Sequence, residues 1–118
     1  MRGEDGFTLL ELLAVMVITG VLIAVAVASF ASGRVRANDA AAKSNIGVAV
    51  PAFQAYYLDN GTYTRMTVAT LQRTYSRGIR NITIVSVSAT TYCVRSTVGG
   101  RSWYKAGPNG RITTTRCR

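Results

Sequence analysis

Histidine is absent from this 118-residue chain, and acids are scarce: five Asp plus Glu against 14 Lys plus Arg. Without histidine, no side chain ordinarily changes charge near neutral pH. Imidazole-based acid–base catalysis, Ser–His and Cys–His nucleophile pairs and histidine metal sites are thereby excluded. The two cysteines, Cys93 and Cys117, are widely spaced and lack the companion ligands of a zinc site. No two acids cluster in the carboxyl-terminal part, no phosphate loop is present, and no nucleophile has an evident base beside it. The expectation is a protein that is not an enzyme, with no catalytic residue, metal or cofactor. Proline occurs only at 51 and 108, so little interrupts long helices. No internal repeat or low-complexity run is found.

What the chain has instead is apolar length. From Leu12 to Ala28 there is no charge, and only Thr19 and Gly20 weaken the run. Extended to Phe7 and Ala31 it covers 25 positions and takes in one acid, Glu11. A helix of roughly 20 such residues crosses the hydrocarbon layer of a membrane. Gly20 would cost about 1 kcal/mol in an exposed soluble helix, whereas in lipid or a packed bundle it lets another helix approach closely. Charge is distributed just as unevenly. Glu4, Asp5 and Glu11 face only Arg2 in the first eleven residues, whereas from Arg34 onward thirteen basic residues outnumber two acids, Asp39 and Asp59. Such a field attracts nucleic acid, anionic lipid or acidic polymers, or simply keeps a basic surface solvated.

Downstream the pattern changes twice. Ala42, Ile46, Ala49, Val50, Phe53 and Tyr57 recur at spacings of three and four, giving a helix from Arg34 to Asp59 with one apolar face. It continues the apolar run as one long helix. Pro51 removes a backbone hydrogen bond and predicts a bend, and Asn60-Gly61 supplies a left-handed stop. Residues 61–80 read as a loop with a short helix around Val68 to Tyr75. Period-two patterns then predict strands at Ile82–Val87, Thr91–Thr97, Ser102–Lys105 and Arg111–Thr115. Gly99-Gly100 and Pro108-Asn109-Gly110 are the turns of an antiparallel meander. The fold class is α+β: a long amino-terminal helix, transmembrane in its first half, packed on a small sheet of about four strands. The predicted domains are a leader at 1–6, a membrane or core helix at 7–31 and a head at 32–118. The cysteines read as one disulfide of an exported domain or as two separate buried thiols, and the membrane segment favours the first.

The amino terminus admits three readings. A secretory signal peptide would use Ala24-Val25-Ala26 or Ala26-Val27-Ala28 for cleavage, but the leader is acidic on balance and the apolar run too long. A plain membrane anchor explains the length and leaves Glu11 without a purpose, although a charge there is costly. The third reading rests on Gly6-Phe7-Thr8-Leu9-Leu10-Glu11, which resembles the processing site of the type IV pilin and pseudopilin family. The resemblance is close from Gly6 to about Ala31 and looser through Asn60-Gly61-Thr62-Tyr63. Three departures stand out: the leader has only Arg2 against Glu4 and Asp5 where many members carry Lys or Arg, Ala28 occupies the place where many members have proline, and Arg34, Arg36 and Lys43 lie beyond the span, against the positive-inside rule.

The resemblance implies a structural subunit of a pilus-like filament serving adhesion, motility or DNA uptake. A pseudopilin of a type II secretion system and a DNA-binding minor pilin of a competence system are the alternatives. It implies that prepilin peptidase cuts between Gly6 and Phe7 and methylates the new amine of Phe7. The chain would be single-pass in the cytoplasmic membrane before an assembly platform moves it into a cell-surface or periplasmic homo-oligomeric filament. In such a filament Glu11 of one subunit would meet the Phe7 amine of another, each offsetting the other's desolvation. Before assembly the carboxylate can pair with its own amine or take up a proton in lipid, and neither excludes the filament role. Cys93 and Cys117 resemble the disulfide-bounded region of many pilins. Between and around them Arg95, Arg101, Trp103, Lys105 and Arg111 interleave aromatic and basic groups, a pattern that can hold single-stranded nucleic acid. It equally fits strand residues that alternate between packing on the helix and facing water.

Overall fold

A computed structural model describes residues 6–118. Residues 1–5, with Arg2, Glu4 and Asp5 of the expected leader, lie outside the described part. Among the described residues the order is α1 (Leu9–Asn60), α2 (Val68–Thr74), β1 (Ile82–Val87), β2 (Tyr92–Val98), β3 (Arg101–Gly107) and β4 (Ile112–Thr113). The chain divides into two compact units after Arg34, and α1 runs through the division. It is the long amino-terminal helix of the α+β reading, with the antiparallel sheet packed on its second half.

In the first unit the helix is apolar and continuous. Ala28 lies within it, and the helix runs unbroken through Gly20 and Gly33. In the second unit the helix is amphipathic. Ala42, Ile46, Ala49, Ala52, Phe53 and Tyr56 are buried, whereas Val50 and Tyr57 are half-buried. The buried stripe is therefore rotated slightly from the expected one, toward Ala52 and Tyr56. Its alanines let the helix backbone lie close to the sheet, and Ile46 and Phe53 fill the space between them. Full burial of each such large side chain contributes about 1.5–3 kcal/mol. The helix also continues through Pro51. Pro51 and Gly47 are both exposed, so the Gly47 carbonyl that loses its partner faces water. At the end, Gly61 takes φ +68° and its N–H donates to Tyr57 O at 2.7 Å, the left-handed stop expected there.

Helix α2 is capped by Thr67, whose side chain accepts from Thr70 N–H, and it contributes the fully buried Leu71. The four strands lie in the order β1-β2-β3-β4, all antiparallel, which is the expected meander. Tyr92, Val94 and Ser96 of β2 face the helix and are buried. The register of β1 on β2 shifts between Ile84 and Ser86, a bulge at Val85. β4 has only two residues, fewer than the alternation over Arg111–Thr115 suggests. It pairs with Tyr104 and Lys105 alone, and the tail after it crosses β3 toward β2. There Cys117 is bonded to Cys93, with Cα atoms 5.8 Å apart. The disulfide covers the face of β2 opposite the helix, which is why Cys93 is as buried as its neighbours.

Candidate functional site

The site begins with an imbalance of burial. Residues 6–37 are all exposed, so the apolar part of α1 has no covering layer among the described residues. Phe7 is 86% accessible, Leu9 88% and Phe30 68%, and the valines, leucines and isoleucines between them are similarly bare. This helix is long and apolar enough to cross a membrane. At 1.5 Å per residue the apolar positions 7–31 would extend about 37 Å, more than the hydrocarbon thickness. Arg34 closes the stretch, its guanidinium 5.9 Å from the centre of the Phe30 ring one turn earlier.

Glu11 sits in the first turn. Its Oε2 accepts from Thr8 N–H at 3.3 Å, and Thr8 Oγ1 accepts from Glu11 N–H at 3.2 Å. This reciprocal pair is a capping box, satisfying two of the backbone donors that a helix start leaves open. The carboxylate is consequently folded back to within one residue of the Phe7 nitrogen. The cap went unread in the sequence although its signal, Thr8-Leu9-Leu10-Glu11, is plainly there.

At the other end of the chain, five residues carried the nucleic-acid expectation, and the structure gives three of them intramolecular partners. Arg101 Nε lies 3.1 Å from Asp39 Oδ1, and Trp103 Nε1–H donates to the same oxygen at 3.0 Å. Lys43 Nζ stands 4.1 Å from the centre of the Trp103 ring, covering one face. Lys105 Nζ donates to Gly110 O. Arg95 is half-buried, its Nε without a partner, and Arg111 is exposed. The geometry thus uses Trp103 and Arg101 to clasp β3 onto α1 through Asp39. The other acid of the head, Asp59, accepts from Tyr75 O–H at 2.8 Å. Among the described residues no group of His, Cys, Asp and Glu converges as a metal site.

Residues 1–27 match the family described as the prokaryotic N-terminal methylation motif. Over 98% of its length the chain is 36% identical to the type IV wide pilus major component PilA4 of Thermus thermophilus, of which it covers 90%. The chain belongs to the type IV pilin family.

That likeness runs through the pilin head as well as the motif, because the match extends across nearly the whole of both chains. The pilin therefore combines an apolar helix, bare among the described residues, with a small head closed by one disulfide. Three phenols of that head titrate abnormally. Burial, with the nearby Tyr63 second, pushes Tyr92 up to about 12. Burial likewise raises Tyr63, with Tyr57 adding to it, and the hydrogen bond to Asp59 raises Tyr75.

Proposed function

We propose that this pilin is the repeating subunit of a type IV pilus, held together by its amino-terminal helix. The observation that carries the reading is the complete exposure of residues 6–37. Lipid covers such a surface in a single-pass membrane precursor, and sister helices cover it in a filament. Segment 1–6 is the leader, 7–31 the core helix and 32–118 the outer head. Prepilin peptidase cuts between Gly6 and Phe7 and methylates the Phe7 amine, and an assembly platform in the cytoplasmic membrane then transfers the subunit to the filament. The chain is a substrate in this chemistry.

Within the filament, the Glu11 carboxylate of one subunit meets the cationic Phe7 amine of another. Either charge alone in an apolar core is expensive, so an axial offset that separates them is rejected. The apolar side chains supply cohesion and the ion pair supplies register. The relative's role as a major component of a wide pilus supports a pilus over the short periplasmic filament of a secretion system.

Two variants test the reading. Gly6→Val leaves uncut precursor, seen as an intact mass that still includes the leader. Glu11→Ala gives a processed chain beginning at N-methylated Phe7 but few sheared filaments. A native chain that begins at Met1, or near Ser29, contradicts the proposal.

A further inference from the structure

One concave feature of the head is used neither by the helix nor by the disulfide. Between the end of α2 and the start of β1 lies a cavity of about 730 Å³ lined by Gln72, Arg73, Arg77, Ile79, Arg80 and Asn81. Its size is that of an ordinary small-ligand cleft. Three arginines line it, all three are exposed, and no acid is among its lining residues. The two acids of the head are engaged elsewhere, Asp39 with Arg101 and Trp103, Asp59 with Tyr75. Three like charges around one hollow repel one another unless an anion enters it. The floor is held in place: Gln72 Nε2–H donates to Ile79 O at 2.8 Å, and Ile79 is fully buried.

We infer that this cavity is a binding site for a carboxylate-bearing saccharide, one or more acidic sugar units. Arginine forks recognise carboxylates with paired hydrogen bonds. The Gln72 carbonyl oxygen and the Asn81 amide suit sugar hydroxyls, since an amide both donates and accepts. Single-stranded nucleic acid carries the same charge, but it is held by stacking its bases on aromatic rings, and no aromatic ring lines the cavity. Repetition on each subunit turns a weak site into an avid one. Only that last consequence rests on the filament proposal, because the site itself lies within one head.

The test uses the full-length chain in detergent, where no assembly is needed. It is titrated calorimetrically with trigalacturonate, with a thymidine tetranucleotide of matching charge, and with the neutral sugar chitotriose. Trigalacturonate binds in preference to the other two. Replacing Arg73, Arg77 and Arg80 together by Gln weakens its binding roughly 10-fold or more. Removing three charges elsewhere, as Arg111→Gln with Arg116→Gln and Arg118→Gln, weakens it by about 2-fold or less. Arg77→Lys, which keeps the charge and loses the fork, weakens it by about 3-fold. An absence of binding, equal loss in the two triple variants, full affinity in Arg77→Lys, or a preference for the nucleotide or the neutral sugar overturns the inference.

Discussion

Glu11 closes a cap and, in the proposed filament, neutralises an amine, and a single substitution can separate the two. The side chain closes a capping box with Thr8, and any carbonyl acceptor at that position does the same. Only a carboxylate can also neutralise an amine on another chain. Glu11→Gln is therefore expected to preserve helix content in detergent, by circular dichroism, while lowering the yield of sheared filaments as far as Glu11→Ala does. Normal filaments from the Gln variant would reduce Glu11 to a cap. A second residue, Tyr92, reports on the head. Its ring lies 4.8 Å from Phe53 and 4.9 Å from Tyr63 by centroids, over Gly107 on the adjacent strand. A Cβ at Gly107 would run into the Tyr92 ring, so Gly107→Ala should cost about 1–3 kcal/mol in denaturant titrations. The Tyr92 phenol is pushed up to about 12, against 10.0 for an exposed tyrosine. The unfolded chain therefore loses that proton first, and the stability due to the buried neutral phenol is constant below pH 10 and lost as pH rises toward 12. A thermal melt that is flat across this window would place Tyr92 in solvent.

At the scale of elements, local chemistry was legible and long-range pairing was not. The period-two runs, Gly99-Gly100 and Pro108-Asn109-Gly110 predict the meander because strand alternation and turn residues are properties of neighbours in sequence. Gly61 was legible for the same reason, and its φ of +68° makes Gly61→Ala destabilising by about 1 kcal/mol. The bulge at Val85 depends on how β1 meets β2, and no residue within β1 announces it. Asp39 and Trp103 are 64 positions apart, so a contact that redefines Trp103 as a clasp leaves no local trace. The rotation of the buried stripe toward Ala52 and Tyr56 has the same origin, since Tyr56 O–H is drawn to Thr64 O by the folded loop. Of the candidate site, the apolar run and Glu11 were visible, and the cap was visible but unread. The Cys93–Cys117 bridge closes a loop of sequence separation 24. On the chain-entropy model that is worth about 3 kcal/mol, so Cys93→Ser with Cys117→Ser should lower the denaturation midpoint by a corresponding amount. An unchanged midpoint would show that the tail crossing β3 is held by packing alone.

For the whole molecule, two physically different surfaces share one chain. The head is closed by its own core and strongly cationic, whereas the apolar half of α1 is exposed along its length and carries one acid. An isolated soluble chain cannot leave such a surface in water, so an outside layer has to complete it. The central claim is that sister helices form that layer in the filament, with Glu11 opposite a processed Phe7. Helical reconstruction of purified native filaments, at a resolution that shows side chains, measures this directly. The account predicts residues 7–31 packed in the filament axis and the Glu11 carboxylate within about 4 Å of another subunit's methylated Phe7 nitrogen. Filaments in which those helices face solvent, or in which Glu11 meets only its own chain, would contradict it.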